Sequence, residues 1–143
     1  MSTSGGWREG DDPGWRRFAD LGPMDLDLGG RLPEVRVAYE TWGTYNGNNA
    51  VLVQHALTGD AHAAGPAGPG QPTPGWWDPL IGPGKAIDTR RWFVVSSNVL
   101  GGCQGTTGPS SPAPDGRAYG SRWPRITVAT KYPNIAQRHF AAR

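Results

Sequence analysis

Ala50-Val51-Leu52-Val53-Gln54-His55-Ala56-Leu57-Thr58-Gly59-Asp60-Ala61-His62 decides how this 143-residue chain is read. The first four residues form a continuously apolar run. Bounded by turn residues, such a run reads as a buried strand inside a sheet covered on both faces. Small and polar residues follow at once, with Gly59 among them. Open α/β sheets place their ligand crevice where buried strands end in small-residue loops. An ordinary strand-to-loop turn has the same local pattern, so both readings stand at this point.

Working outward, the pattern recurs. Trp92-Phe93-Val94-Val95-Ser96-Ser97 is a second continuous run, and Asn98 to Gly108 is again small and polar. Two buried strands ending in Gly-rich loops favour an α/β sheet with a crevice at the strand ends. Upstream, Glu34-Val35-Arg36-Val37-Ala38-Tyr39-Glu40 alternates, with Val35, Val37 and Tyr39 on one face, as a half-buried strand does. A first strand is expected between Phe18 and Leu28, ended by Gly29-Gly30, and Thr44 to Asn49 reads as a turn. Four prolines between Gly65 and Gly75 remove backbone donors and fix φ, which predicts a flexible surface loop. Trp76 to Gly82 suggests a short helix with Pro79 in its first turn. Residues 1–16 are rich in Gly, Ser and charge and are expected to be disordered. No long amphipathic helix is visible.

Composition narrows the function classes. Fourteen basic residues against twelve acidic ones give a net charge of +2. The bases are scattered, which argues against nucleic acid as a partner. No apolar run reaches the roughly 18 residues of a membrane span, and the N-terminal residues lack the apolar segment of a secretory signal. With Cys103 the single cysteine, no internal disulfide framework exists. A soluble cytoplasmic protein is the expectation. The 22 glycines and 14 prolines require either disorder throughout or loops around a few strands.

Several residues bear chemistry taken singly. His55, Asp60 and His62 suggest a metal site, but two histidines seven apart on a strand end and a loop match no ligand spacing, so no metal is expected. Cys103 in a Gly-rich loop suggests a nucleophile, for which only His55, His62 and His139 could be the base; a lone cysteine is more often a small packed residue. Gly101-Gly102-Cys103-Gln104-Gly105 lacks the ending of a P-loop and the spacing of a dinucleotide fingerprint. Trp76 and Trp77 read as core packing before pocket lining.

Five motifs in order carry more than any one of them. They are Leu57-Thr58-Gly59-Asp60-Ala61-His62; Gly75-Trp76-Trp77-Asp78; Ile81-Gly82-Pro83-Gly84-Lys85-Ala86-Ile87-Asp88-Thr89; the Asn98–Ser111 stretch; and Pro124-Arg125-Ile126-Thr127-Val128. This series resembles the N-terminal part of the homoserine O-acetyltransferases, a family of the α/β-hydrolase superfamily, from about Phe18 to Val128. The resemblance implies the N-terminal half of an α/β-hydrolase sheet, mostly strands and Gly/Pro-rich loops. It implies residues 17–128 as the N-terminal part of an acyltransferase domain. It further implies acetyl transfer from acetyl-CoA to L-homoserine in methionine biosynthesis, through a serine nucleophile, a histidine base and an orienting aspartate. Acetyl-CoA would be a co-substrate and no cofactor would be bound tightly. A full-length member would be homodimeric. One oxyanion donor, the backbone N–H of the loop after the third strand, falls on Leu57, with Ala56, Thr58 and Gly59 shaping the hole. The Asn98–Ser111 stretch would lie near the pocket mouth.

The sequence departs from that family pattern. No serine among the 143 residues sits in Gly-x-Ser-x-Gly, and the triad aspartate and histidine have no counterpart. Residues 129–143 do not match, and Pro133 interrupts any helix there. The expectation is a truncated or frame-shifted, inactive copy of low solubility when expressed alone. A non-catalytic chain that binds a full-length homologue is the alternative from another class, and a succinyl or serine O-acyltransferase is the close enzymatic variant.

Overall fold

The computed structural model describes residues 5–127. In chain order it contains β1 (Arg17–Asp25), β2 (Arg31–Trp42), β3 (Ala50–Gln54), β4 (Ile81–Gly82), β5 (Ile87–Asp88), β6 (Phe93–Ser97) and a 3-10 turn at Gly120–Arg122. That turn is the only helical element among the described residues, and none is long and apolar enough to cross a membrane. The described residues fall into two units, one of 5–11, 18–38 and 98–127, the other of 12–17 and 39–97.

In the first unit β1 lies beside β2. Leu26, Leu32, Val35, Val37 and Leu100 form its buried core, with Leu21, Met24, Tyr119, Trp123 and Ile126 packed against them. Each fully buried aliphatic side chain contributes about 1.5–3 kcal/mol. Beyond β1, two threonines do the work of a strand against β2. The Ala38 N–H donates to Thr106 Oγ1 at 2.9 Å and the Arg36 N–H to Thr107 Oγ1 at 2.8 Å. Backbone bonds from Asn98 N to Ala38 O and from Thr107 N to Arg36 O, both 2.9 Å, complete the edge. A buried strand edge needs such partners, because an unpaired backbone group away from water is costly.

The second unit is built on three strands. Tyr39–Trp42 of β2 runs antiparallel to β6, with Glu40 opposite Ser96 and Trp42 opposite Val94. β3 runs parallel to β6, with Val51 opposite Val94 and Val53 opposite Ser96. All five residues of β6 are buried, as its continuous apolar run predicts. Parallel neighbours require a long crossover. Residues 55–92 supply it as loop and turn, with a two-stranded parallel pair of β4 and β5 in place of a helix. The crossover sets Ala63, Ala64 and Ile81 against Val53 and Val94, with Trp42, Val51, Trp76 and Ile87 around them. The approach is close: a Cβ on Gly75 would fall on the backbone of Ala64.

Five expectations change. β1 stops at Asp25, because the Leu26–Gly30 turn closes through Leu26 N–H to Gly30 O and Gly29 N–H to Leu26 O. β2 is longer than Glu34–Glu40 and is buried on both faces near its end, since Ala38 and Glu40 are as enclosed as Val37 and Tyr39. β3 is an edge strand; Val53 is buried but Leu52 is 47% exposed. Trp76–Leu80 makes one turn, with Trp77 O accepting from Leu80 N and Ile81 N, and no helix. Residues 5–16 hold defined contacts, among them the Arg16 guanidinium on the Gly70 carbonyl at 2.7 Å, where disorder was expected from composition.

Candidate functional site

β3 delivers the chain into a tight turn. The Ala56 carbonyl accepts the Gly59 N–H at 2.9 Å, which makes Leu57 and Thr58 the two central residues of a β-turn. The closing bond of such a turn joins its first and last residues, so the central N–H groups take no part in it. Leu57, 88% exposed, stands at the tip. The turn is held close to the strand end: His55 is buried, its Nδ1 lies 2.7 Å from the Ala56 carbonyl, and a Cβ on Gly59 would come within 3.0 Å of His55 Cβ. The small residues beside Leu57 thus have a packing reason.

Behind the turn lies a buried polar cluster. Glu40, His62 and Gln71 are 2%, 3% and 2% exposed. His62 Nδ1 is 2.9 Å from Glu40 Oε2, and Gln71 Nε2 donates to Glu40 Oε1. His62 Nε2 is 3.1 Å from the Pro66 carbonyl. The Trp15 ring stacks on the imidazole at 5.3 Å between centroids and 5° between planes. Burial pushes the Glu40 carboxyl up, and the hydrogen bond and charge of His62 act against that push. Burial lowers the Arg16 guanidinium, while Asp60 and Glu40 raise it. Asp60 fastens the loop twice: its Oδ1 accepts the His62 N–H at 2.8 Å and its carbonyl accepts Trp76 Nε1 at 2.9 Å.

The other sequence candidates fall into place around this. Both ring nitrogens of His62 are already engaged, so the imidazole turns no lone pair outward. Trp76 packs in the core as expected, whereas Trp77 is half exposed. Cys103 is exposed in the first unit, whose described residues contain no histidine; His139 lies outside the described residues. The Gly101 and Gly102 N–H groups are spent on the Thr107 and Val99 carbonyls, which removes them as donors to a phosphate. The first unit also carries a cleft of about 910 Å³ lined by Trp7, Arg8, Asp20, Arg36, Thr107 and others. Arg36 in it is already paired with Asp20 at 2.9 Å and Glu9 at 3.5 Å.

Sequence reading missed Glu40, Gln71, Arg16 and Trp15. A signal existed for the first: Glu40 stands between Ala38 and Trp42, two apolar residues, on its own face of the strand. Gln71 had none, because its proline-rich surroundings read as exposed. In the structure the reciprocal Gly68–Gln71 backbone bonds, 2.8 and 2.9 Å, fold that segment inward.

No protein-family profile matches the chain. It is similar to the homoserine O-acetyltransferase of Thermobifida fusca strain YX, 64% identical over 131 residues, covering 90% of this chain and 35% of that protein. Among solved structures it is similar to esterase E22, with a TM-score of 0.73 at 37% identity, covering 81% of this chain and 34% of that one. A homoserine O-acetyltransferase from Bacillus anthracis gives a TM-score of 0.67 at 35% identity, covering 78% and 32%. The chain spans about a third of the length of the curated relatives it matches.

Proposed function

The chain belongs to the homoserine O-acetyltransferases, matching their N-terminal third and forming the corresponding part of an α/β-hydrolase sheet, and from this we propose that it supplies the oxyanion loop of such an enzyme. The reaction would be acetyl transfer from acetyl-CoA to L-homoserine. The observation that carries this reading is the Ala56–Gly59 turn at the end of β3, which leaves the Leu57 N–H clear of the turn's own bond. A backbone donor aimed at a developing oxyanion stabilises the tetrahedral intermediate without needing a side chain, which suits small neighbours such as Ala56 and Gly59. The 143 residues hold no Gly-x-Ser-x-Gly. Nucleophile and base would therefore come from sequence corresponding to the remaining two-thirds of the relatives. Co-expression of this chain with that portion of the Thermobifida relative tests the reading. Acetylation of L-homoserine by the pair, and by neither part alone, supports it; assembly of a stable pair without any turnover counts against it.

A second reading has its own support. β3 ends the strand order with Leu52 half exposed, so a strand of another chain could add to that edge. A non-catalytic role in binding a full-length homologue would use this edge. In the same experiment it would appear as stable association with an intact relative whose turnover is unchanged.

A further inference from the structure

The Glu40–His62 contact has a fixed proton count. Nε2 of His62 faces the Pro66 carbonyl at 3.1 Å, and a carbonyl can only accept, so Nε2 carries a hydrogen. The 2.9 Å contact between Nδ1 and Glu40 Oε2 then needs one more hydrogen. It resides on Nδ1, giving imidazolium and carboxylate, or on Oε2, giving imidazole and carboxylic acid. Both arrangements hold one proton between the two groups and no net charge on the pair, which is how a pair this enclosed avoids an unpaired buried charge. Glu40 Oε1 is occupied by Gln71. The charged groups that bear on the pair are Arg16 and Asp60, both acting on Glu40, and Asp78, which feels His62.

The pair also has mechanical reach. Glu40 sits mid-sheet, opposite Ser96 of β6. His62 is three residues past the turn, and between them Asp60 is tied to both His62 N–H and Trp76. The Leu57 turn is thus a short bridge between β3 and an imidazole anchored on β2.

We propose that Glu40 and His62 hold one proton in common and act as the positioning pair for the Leu57 turn, which rests on the oxyanion reading for its purpose but not for its chemistry. Neither residue touches substrate. They act through the loop they hold.

Nitrogen-15 NMR of the histidine rings in the whole chain tests this without any turnover assay, so its failure is separable from failure of the acetyl-transfer reading. In the wild-type chain the His62 ring is expected to keep a hydrogen on Nε2, with Nδ1 in a strong hydrogen bond. Glu40→Gln offers an amide N–H to Nδ1 and keeps an oxygen for Gln71. It is expected to leave the far-ultraviolet spectrum unchanged, convert Nδ1 to a bare acceptor, and shift the Leu57 and Thr58 amide resonances only slightly. His62→Ala is expected to accelerate hydrogen exchange at the Gly59 amide about tenfold or more. A wild-type ring with Nε2 bare overturns the proton assignment, a measurement that needs no variant to fold. An unchanged Gly59 exchange rate in a folded His62→Ala chain overturns the positioning role.

Discussion

Thr106 Oγ1 accepts the Ala38 N–H and donates to the Asn98 carbonyl, both at 2.9 Å, so one buried hydroxyl joins the middle of β2 to the start of the loop after β6. Valine has nearly the same shape and neither hydrogen-bonding function. Thr106→Val is expected to destabilise the chain by about 2–3 kcal/mol, because a buried donor and a buried acceptor both lose their partner. Urea unfolding at fixed pH measures it. A midpoint unmoved from wild type would mean that β2 finds other partners there.

Ser96 presents the reverse case. It is fully buried near the end of β6, and its Oγ has no hydrogen-bond partner among the described residues. Removing an unsatisfied buried hydroxyl is favourable. Ser96→Ala is expected to stabilise by up to about 1 kcal/mol, read as a raised thermal midpoint. A lowered midpoint would show that the hydroxyl is satisfied in solution.

Gly75 marks a close backbone approach in the second unit. A Cβ there would overlap backbone atoms of Ala64, which cannot swing aside as a side chain can. Gly75→Ala is expected to cost about 1–3 kcal/mol or more through forced backbone movement. The same urea series measures it, and a neutral outcome would contradict the tight crossover.

The pH dependence follows from Glu40. Burial raises its carboxyl above the ordinary range. A raised acid binds more protons folded than unfolded, so the stability it contributes is present below the unfolded value and is lost as pH rises through the folded one. Glu40→Gln cannot titrate. With its proton held in common with His62, wild type is therefore expected to lose stability relative to Glu40→Gln as pH rises above the unfolded carboxyl value of about 4.3. A constant difference above that value would place the carboxyl's protonation elsewhere.

The sequence made the strands legible where one pattern ruled. β6 is buried at every position, as five consecutive apolar or small residues imply. β3 carries an equally continuous run yet leaves Leu52 half exposed, because burial of a parallel strand depends on a neighbour on each side and β3 has one. The loop after β3 could be singled out from Gly59 and its small neighbours. Its anchor could not, since Glu40 and Gln71 lie far away in sequence and meet His62 only through the fold. The Trp76–Leu80 turn shows the limit of local signals: Pro79 is compatible with a helix start, but the chain enters β4 at Ile81, too soon for a second turn.

The most direct test of the oxyanion reading is Leu57→Pro in the active pair formed with the remaining portion of a relative. Proline is favoured at the second position of a β-turn and lacks the N–H, so it removes the donor while keeping the turn. The turnover number is expected to fall about 10²–10³-fold with homoserine KM little changed. Turnover within about twofold of wild type, a negligible barrier change on the scale of a factor of ten per 1.36 kcal/mol, would contradict a role for the Leu57 N–H in stabilising the oxyanion.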